Sequence, residues 1–147
     1  MYQRILVPID GSVTAERALQ EAIKLAAGEA QLRLVYVIEQ VYPLDTEGYA
    51  FIDYVALQEA VRKTGERTLA QAAEQVRRSG MTAETTLLDV PGERVASMID
   101  DEALNWRADL IVIGTHGRSG LSRLLLGSVA EGVVRGASVP VLLVRAE

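Results

Sequence analysis

Gly114, Gly117 and Gly120 recur at every third residue directly after an apolar stretch, and Gly127-Ser128 follows where a helical period begins. Glycine permits positive φ and close backbone approach, so successive N–H groups can face an anion. A helix start adds unpaired N–H groups and the positive end of the helix dipole. The Ser128 hydroxyl can bind a phosphate oxygen or cap the helix. Together these are the parts of a phosphate cradle.

A second set closes the first apolar run: Pro8, Ile9, Asp10, Gly11 and Ser12. Asp10 is placed to meet a ligand, or to cap the next helix or close a turn. His116 and Arg118 stand inside the glycine run. The backbone N–H of His116 matters more than its ring. Arg118 can pair with a phosphate or remain a solvated loop charge, and Arg123 is a weaker version of the same choice. Two known phosphate motifs fail. GxxxxGK[ST] needs a lysine, and none follows Lys63; GxGxxG is absent after the first strand, where the chain reads Asp10-Gly11-Ser12. P-loop NTPase and NAD-dehydrogenase chemistry are thereby disfavoured.

Composition excludes more. The 147 residues contain no cysteine, which removes disulfides, thiolate metal sites and cysteine nucleophiles. His116 is the one histidine, so no multi-histidine metal site forms within one chain. Asp100-Asp101-Glu102 is read as a solvated helix face, not a metal site. Fifteen basic residues against twenty acidic ones leave a net charge of -5, which argues against a nucleic-acid partner. The first apolar run is too short for an export signal, and nothing approaches a membrane-spanning length. A cytoplasmic protein without membrane insertion is expected.

The elements that must position these residues follow from periodicity. Apolar runs at 4–9, 32–38, 83–88, 110–113 and 139–144 fit strands covered on both faces. Between them lie four helical periods. The first carries Ala15, Ala18, Leu19, Ala22, Ile23 and Ala26, with Ser12 or Thr14 as cap and Gly28 as stop. The second runs from about Tyr54 to Arg78, with Leu57, Val61, Leu69, Ala72 and Val76 inward. The third places Val95, Ile99 and Ala103 on one stripe, with Trp106 closing it against the sheet. The fourth runs from Gly127-Ser128 to Gly136 and carries Val129 and Val133. Strict alternation predicts an α/β fold, a doubly wound parallel sheet with helices on both faces, in a single domain over 1–147. Ligands in such sheets bind at the carboxyl ends of the strands, where Asp10 and the glycines fall. The stretch 39–53, rich in aromatics, is read as a loop over the helix behind it, or as a lid or partner surface.

The spacing Gly114-x2-Gly117-x9-Gly127-Ser128 resembles the ATP-binding signature of universal stress proteins. The opening Ile5-Leu-Val-Pro-Ile-Asp10-Gly-Ser12 is similar to the family's first strand, and Val139-Pro-Val-Leu-Leu-Val144 to its last. The resemblance implies a Rossmann-like sheet of five parallel strands in the order 3-2-1-4-5. It implies that Pro8, Ile9, Asp10 and Val37 line the adenosine part of an ATP site. It further implies that Gly114, His116, Gly117 and Arg118 hold ribose and phosphates from one side. Gly127, Ser128 and Val129 would hold the phosphates from the other. Val37 also reads as a core valine.

Binding ATP does not imply hydrolysis, which needs a base or positioned water and usually a metal. Asp10, Asp89 and His116 form no obvious catalytic pair. The expectation is therefore a non-enzymatic, ATP-binding regulator in stress response, with Mg²⁺ accompanying the phosphates. A membrane transporter is the kind of protein partner the resemblance implies. The alternatives are a slow ATP-hydrolysing enzyme and a nucleotide-free dimerisation module. The run from Val139 to Val144 would lie at the sheet edge and invite pairing with a second chain. That predicts a homodimer, with a dimer of dimers as its extension.

Overall fold

The computed structural model of the chain describes residues 1–39, 53–116 and 126–145. Nine elements alternate: β1 (Arg4–Pro8), α1 (Val13–Ala26), β2 (Gln31–Val37), α2 (Tyr54–Arg78), β3 (Ala83–Leu88), α3 (Val95–Trp106), β4 (Leu110–Gly114), α4 (Ser128–Gly136) and β5 (Val141–Val144). The strands form one parallel sheet in the order β3-β2-β1-β4-β5. Register sets Ile5 beside Leu32 and Leu110, and Ile111 beside Val141. The expected α/β architecture and strand order are present.

Continuous apolar strands follow from cover on both faces. Ile5 and Val7 point to one side, where they pack with Leu19 and Ala22 of α1 and Leu69 and Val76 of α2. Leu6 points to the other, against Ile99 and Trp106 of α3 and Val133 of α4. The outer strand β3 is less covered, exposing Glu84 and Thr85 and leaving the rest half-buried.

The helix ends show which cap won. Ser12, not Thr14, caps α1, its Oγ accepting from Ala15 N–H at 3.2 Å. The left-handed turn that ends α1 begins one residue before Gly28, at Ala27 (φ 49°), and Gly28 continues it. Asp53 caps α2 through Ala56 N–H at 3.0 Å. Along α2, Leu69, Ala72 and Val76 are buried, while Leu57 and Val61 are half-buried. Where α2 crosses the sheet, Gly65 leaves room for the Tyr36 ring; a β-carbon there would stand 2.8 Å from it.

Two sequence expectations need correction. The final strand starts at Val141, not Val139; the Pro140 carbonyl accepts from Ile111 N–H just before the strand begins. The acidic run on α3 is not a uniformly solvated face. Glu102 pairs with Arg33 at 3.4 Å, and Arg33 also pairs with Glu84. Asp100 packs against α4, and its Oδ1 is buried without a hydrogen-bond partner among the described residues. Only Asp101 is exposed. Trp106 does close α3 against the sheet, buried beneath the guanidinium groups of Arg33 and Arg4, 4.9 and 5.8 Å from the ring centre. Among the described residues no helix is long and apolar enough to cross a membrane.

Candidate functional site

A cleft of about 490 Å³ opens at the carboxyl ends of β1 and β4, where the sheet order reverses direction. The β1 turn supplies Pro8, Ile9, Asp10 and Ser12, and β2 supplies Val37 and Glu39. The β4 turn supplies Gly114, Thr115 and His116. The start of α4 supplies Gly127, Ser128 and Val129. Nine of the residues picked out in the sequence thus meet at one cleft: Pro8, Ile9, Asp10, Val37, Gly114, His116, Gly127, Ser128 and Val129. Gly117 and Arg118 lie outside the described residues, as do Gly120, Arg123 and residues 40–52.

Sequence reasoning missed several wall residues. Val95 and Ile99 of α3 reach the cleft, with Val35 and Ile113 from the sheet. Their periodicity marked them as inward-facing. Nothing in the sequence separated inward to the core from inward to the cleft. Glu39 and Thr115 were also missed; each directly follows a strand residue that was read as ending at the site.

The glycines have a different reason from the one their spacing suggests. Neither Gly114 nor Gly127 has positive φ. A β-carbon on Gly114 would stand 2.7 Å from the Thr14 hydroxyl and 2.8 Å from the Thr14 carbonyl carbon. One on Gly127 would stand 2.8 Å from the Thr115 carbonyl oxygen, which accepts from Gly127 N–H at 2.7 Å. Both glycines let the chain press against itself. They bring the end of β4 onto α1, and the start of α4 onto the β4 turn. Among the described glycines of the β1 and β4 turns and the α4 start, only Gly11 uses the left-handed region, at φ 84°.

The polar groups are arranged around this packing. Asp10 closes its own turn, its Oδ1 accepting from Ser12 N–H at 2.9 Å. It does not cap α1. Thr115 is buried, and its hydroxyl lies 3.1 Å from His116 Nδ1, which orients the ring. Gly127 precedes α4 with no side chain to cap it, so among the described residues no side-chain cap covers the first N–H groups of that helix. The cleft therefore has apolar walls from Ile9, Val37 and Ile99, suited to a flat ring. It has a helix N-terminus and Ser128 suited to an anion. Asp10 and Glu39 are the carboxylates among its described lining residues. Among the described residues no three metal-ligating side chains come together.

A sequence model of the universal stress protein family matches residues 1–145. A universal stress protein from Thermus aquaticus is 38% identical, the match covering 99% of this chain and 100% of that one. A crystal structure of a universal stress protein family member from Burkholderia pseudomallei is 39% identical, covers 97% of this chain and 95% of its own, and superposes with a TM-score of 0.76. The universal stress protein from Archaeoglobus fulgidus, solved in complex with dAMP, is 28% identical, with 97% and 98% covered and a TM-score of 0.65.

Proposed function

The chain belongs to the universal stress protein family, and we propose that it is an ATP-binding member that acts as a regulatory module in stress response. The observation that carries this reading is the cleft itself. Apolar walls from β1, β2 and α3 face an uncapped helix N-terminus carrying Ser128, across a gap sized for a nucleotide. The dAMP complex of the Archaeoglobus fulgidus relative supports an adenine nucleotide as the ligand class.

In this reading Pro8, Ile9 and Val37 enclose the adenine, and Asp10 accepts from the ribose with the oxygen not held by Ser12. Gly114 and His116 present backbone to the ribose and phosphates. Gly127, Ser128 and Val129 receive the phosphates at the α4 N-terminus, where backbone N–H groups and the helix dipole do the work a lysine does elsewhere. Gly117 and Arg118 complete the phosphate side. Mg²⁺, usually held by one or two carboxylates together with substrate phosphates, would draw on Glu39, the lining carboxylate not assigned to the ribose. When bound it would offset the phosphate charge.

Residues 1–147 form a single nucleotide-binding domain in this proposal, working in the cytoplasm as a homodimer through β5, extended to a dimer of dimers. Occupancy changes its shape or assembly and hence its affinity for a partner such as a membrane transporter. Hydrolysis is at most slow in this proposal, because Asp10 and His116, the titratable side chains of the described β1 and β4 turns, are engaged with Ser12 N–H and the Thr115 hydroxyl. Protein purified without added nucleotide, denatured and chromatographed, should release ATP. ATP incubated with the protein should persist rather than become ADP. Absence of any bound or bindable adenine nucleotide would overturn the proposal, and steady ADP release would replace it with the enzymatic reading.

A further inference from the structure

We propose that Thr14 is a positioning residue that ties the two walls of the cleft together, so that the turn after β1 and the turn after β4 move as one body. The geometry stands alone; its consequence for ligand rests on the nucleotide reading above.

Thr14 lies in the first turn of α1, only 6% exposed and outside the cleft lining. Its hydroxyl donates to the carbonyl oxygen of His116. A threonine hydroxyl carries one proton. With that proton spent, the 3.3 Å contact between Ser12 Oγ and Thr14 Oγ1 must have Ser12 as its donor. Ser12 Oγ in turn accepts from Ala15 N–H, and Ser12 N–H donates to Asp10 Oδ1. A directed chain therefore runs from Ala15 through Ser12 and Thr14 to the His116 carbonyl, with Asp10 held at a branch. Gly114 presses the end of β4 onto the same threonine.

Capping does not explain this arrangement. Ser12 already caps α1, so a second hydroxyl in the first turn is not required for the helix. Thr14 instead spends its donor on a different element, at a residue that lines the cleft. Rigid coupling has a binding consequence. A ligand that orders the Asp10 turn has already ordered the His116 turn, so the second wall costs it less.

The test compares wild type with Thr14→Val, which keeps the shape and removes the hydroxyl, and Thr14→Ser, which keeps the hydroxyl. In nucleotide-free protein, amide hydrogen exchange should speed up in Thr14→Val at both residues 10–15 and residues 114–116, with β1 unchanged, and recover in Thr14→Ser. ATP affinity by calorimetry should fall about tenfold in Thr14→Val and stay within about twofold in Thr14→Ser, the scale of one buried hydrogen bond. Asp10→Asn and Ser128→Ala should be coupled in a double-mutant cycle in wild type and Thr14→Ser, and additive in Thr14→Val. Faster exchange confined to the α1 turn, wild-type ATP affinity in Thr14→Val, or a cycle unchanged by that substitution would each overturn the proposal. Should wild type bind no ATP, the nucleotide reading falls, and the exchange data alone decide whether Thr14 ties the walls.

Discussion

Asp100 of α3 packs against Gly136 at the end of α4, its Oδ2 2.5 Å from where a β-carbon on residue 136 would stand. One turn earlier, Gly132 meets Ala96 in the same way, with a β-carbon there 2.6 Å from that of Ala96. Two glycines thus let α4 lie close on α3, and this packing sets where the α4 N-terminus points. The cost falls on Asp100, which gives up solvent.

The buried carboxylate makes stability depend on pH. Burial, with a smaller contribution from the Asp101 charge, raises the Asp100 pKa from its ordinary 3.8 to about 6. The folded protein therefore holds this proton more tightly than the unfolded chain. The stability it contributes is fully present below pH 3.8 and is lost as pH rises through about 6. Asp100→Asn should lose less stability than wild type between pH 4 and 7, by about 1 kcal/mol once solvent screening of this partly exposed group is allowed for. Urea unfolding across that range reads the difference, and parallel curves would contradict it.

Gly114→Ala should destabilise the fold by about 1–3 kcal/mol, because the added carbon collides with the Thr14 side chain and backbone and neither has room to retreat. The same substitution should weaken ATP binding by separating the β4 turn from α1. Thermal unfolding and calorimetry measure the two effects. Unchanged stability would mean the contact relaxes without cost.

The proposed pairing through β5 can be tested without harming the core. Leu142 and Leu143 are both exposed on β5, whereas Val144 is buried in the core beneath α1. The pair Leu142→Lys and Leu143→Lys should give a folded monomer by light scattering with an unchanged circular dichroism spectrum. A persistent dimer would rule out pairing through β5. Charging Val144 would not be a fair test, because a lysine there would unfold the core.

The fold was largely legible in the sequence because its signals are local. Apolar runs and helical periods are read within a few residues, and the β4–α4 glycines stand beside the elements they join. The strand order came through the resemblance, since periodicity alone does not choose neighbours. What stayed hidden depends on partners far apart in the chain. Thr14 reads as an ordinary first-turn residue until His116 is seen against it. Gly114 and Gly127 read as phosphate-loop glycines, yet the chain presses on itself there. Asp100 and Glu102 read as solvated, and only α4 and Arg33 show otherwise. Val35, Val95, Ile99 and Ile113 were legible as buried but not as cleft walls, because burial against a core and against a ligand use the same side chains.

The central claim is that adenine nucleotide occupies the β1–β4 cleft. Backbone amide shifts of labelled protein titrated with ATP test it most directly. Saturable shifts are expected at Asp10 to Ser12, Val37, Thr115 to His116 and Ser128 to Ala130, with little change at the smaller hollow beside the Arg62–Asp89 ion pair. Shifts centred on that hollow, or none at saturating ATP, would contradict it.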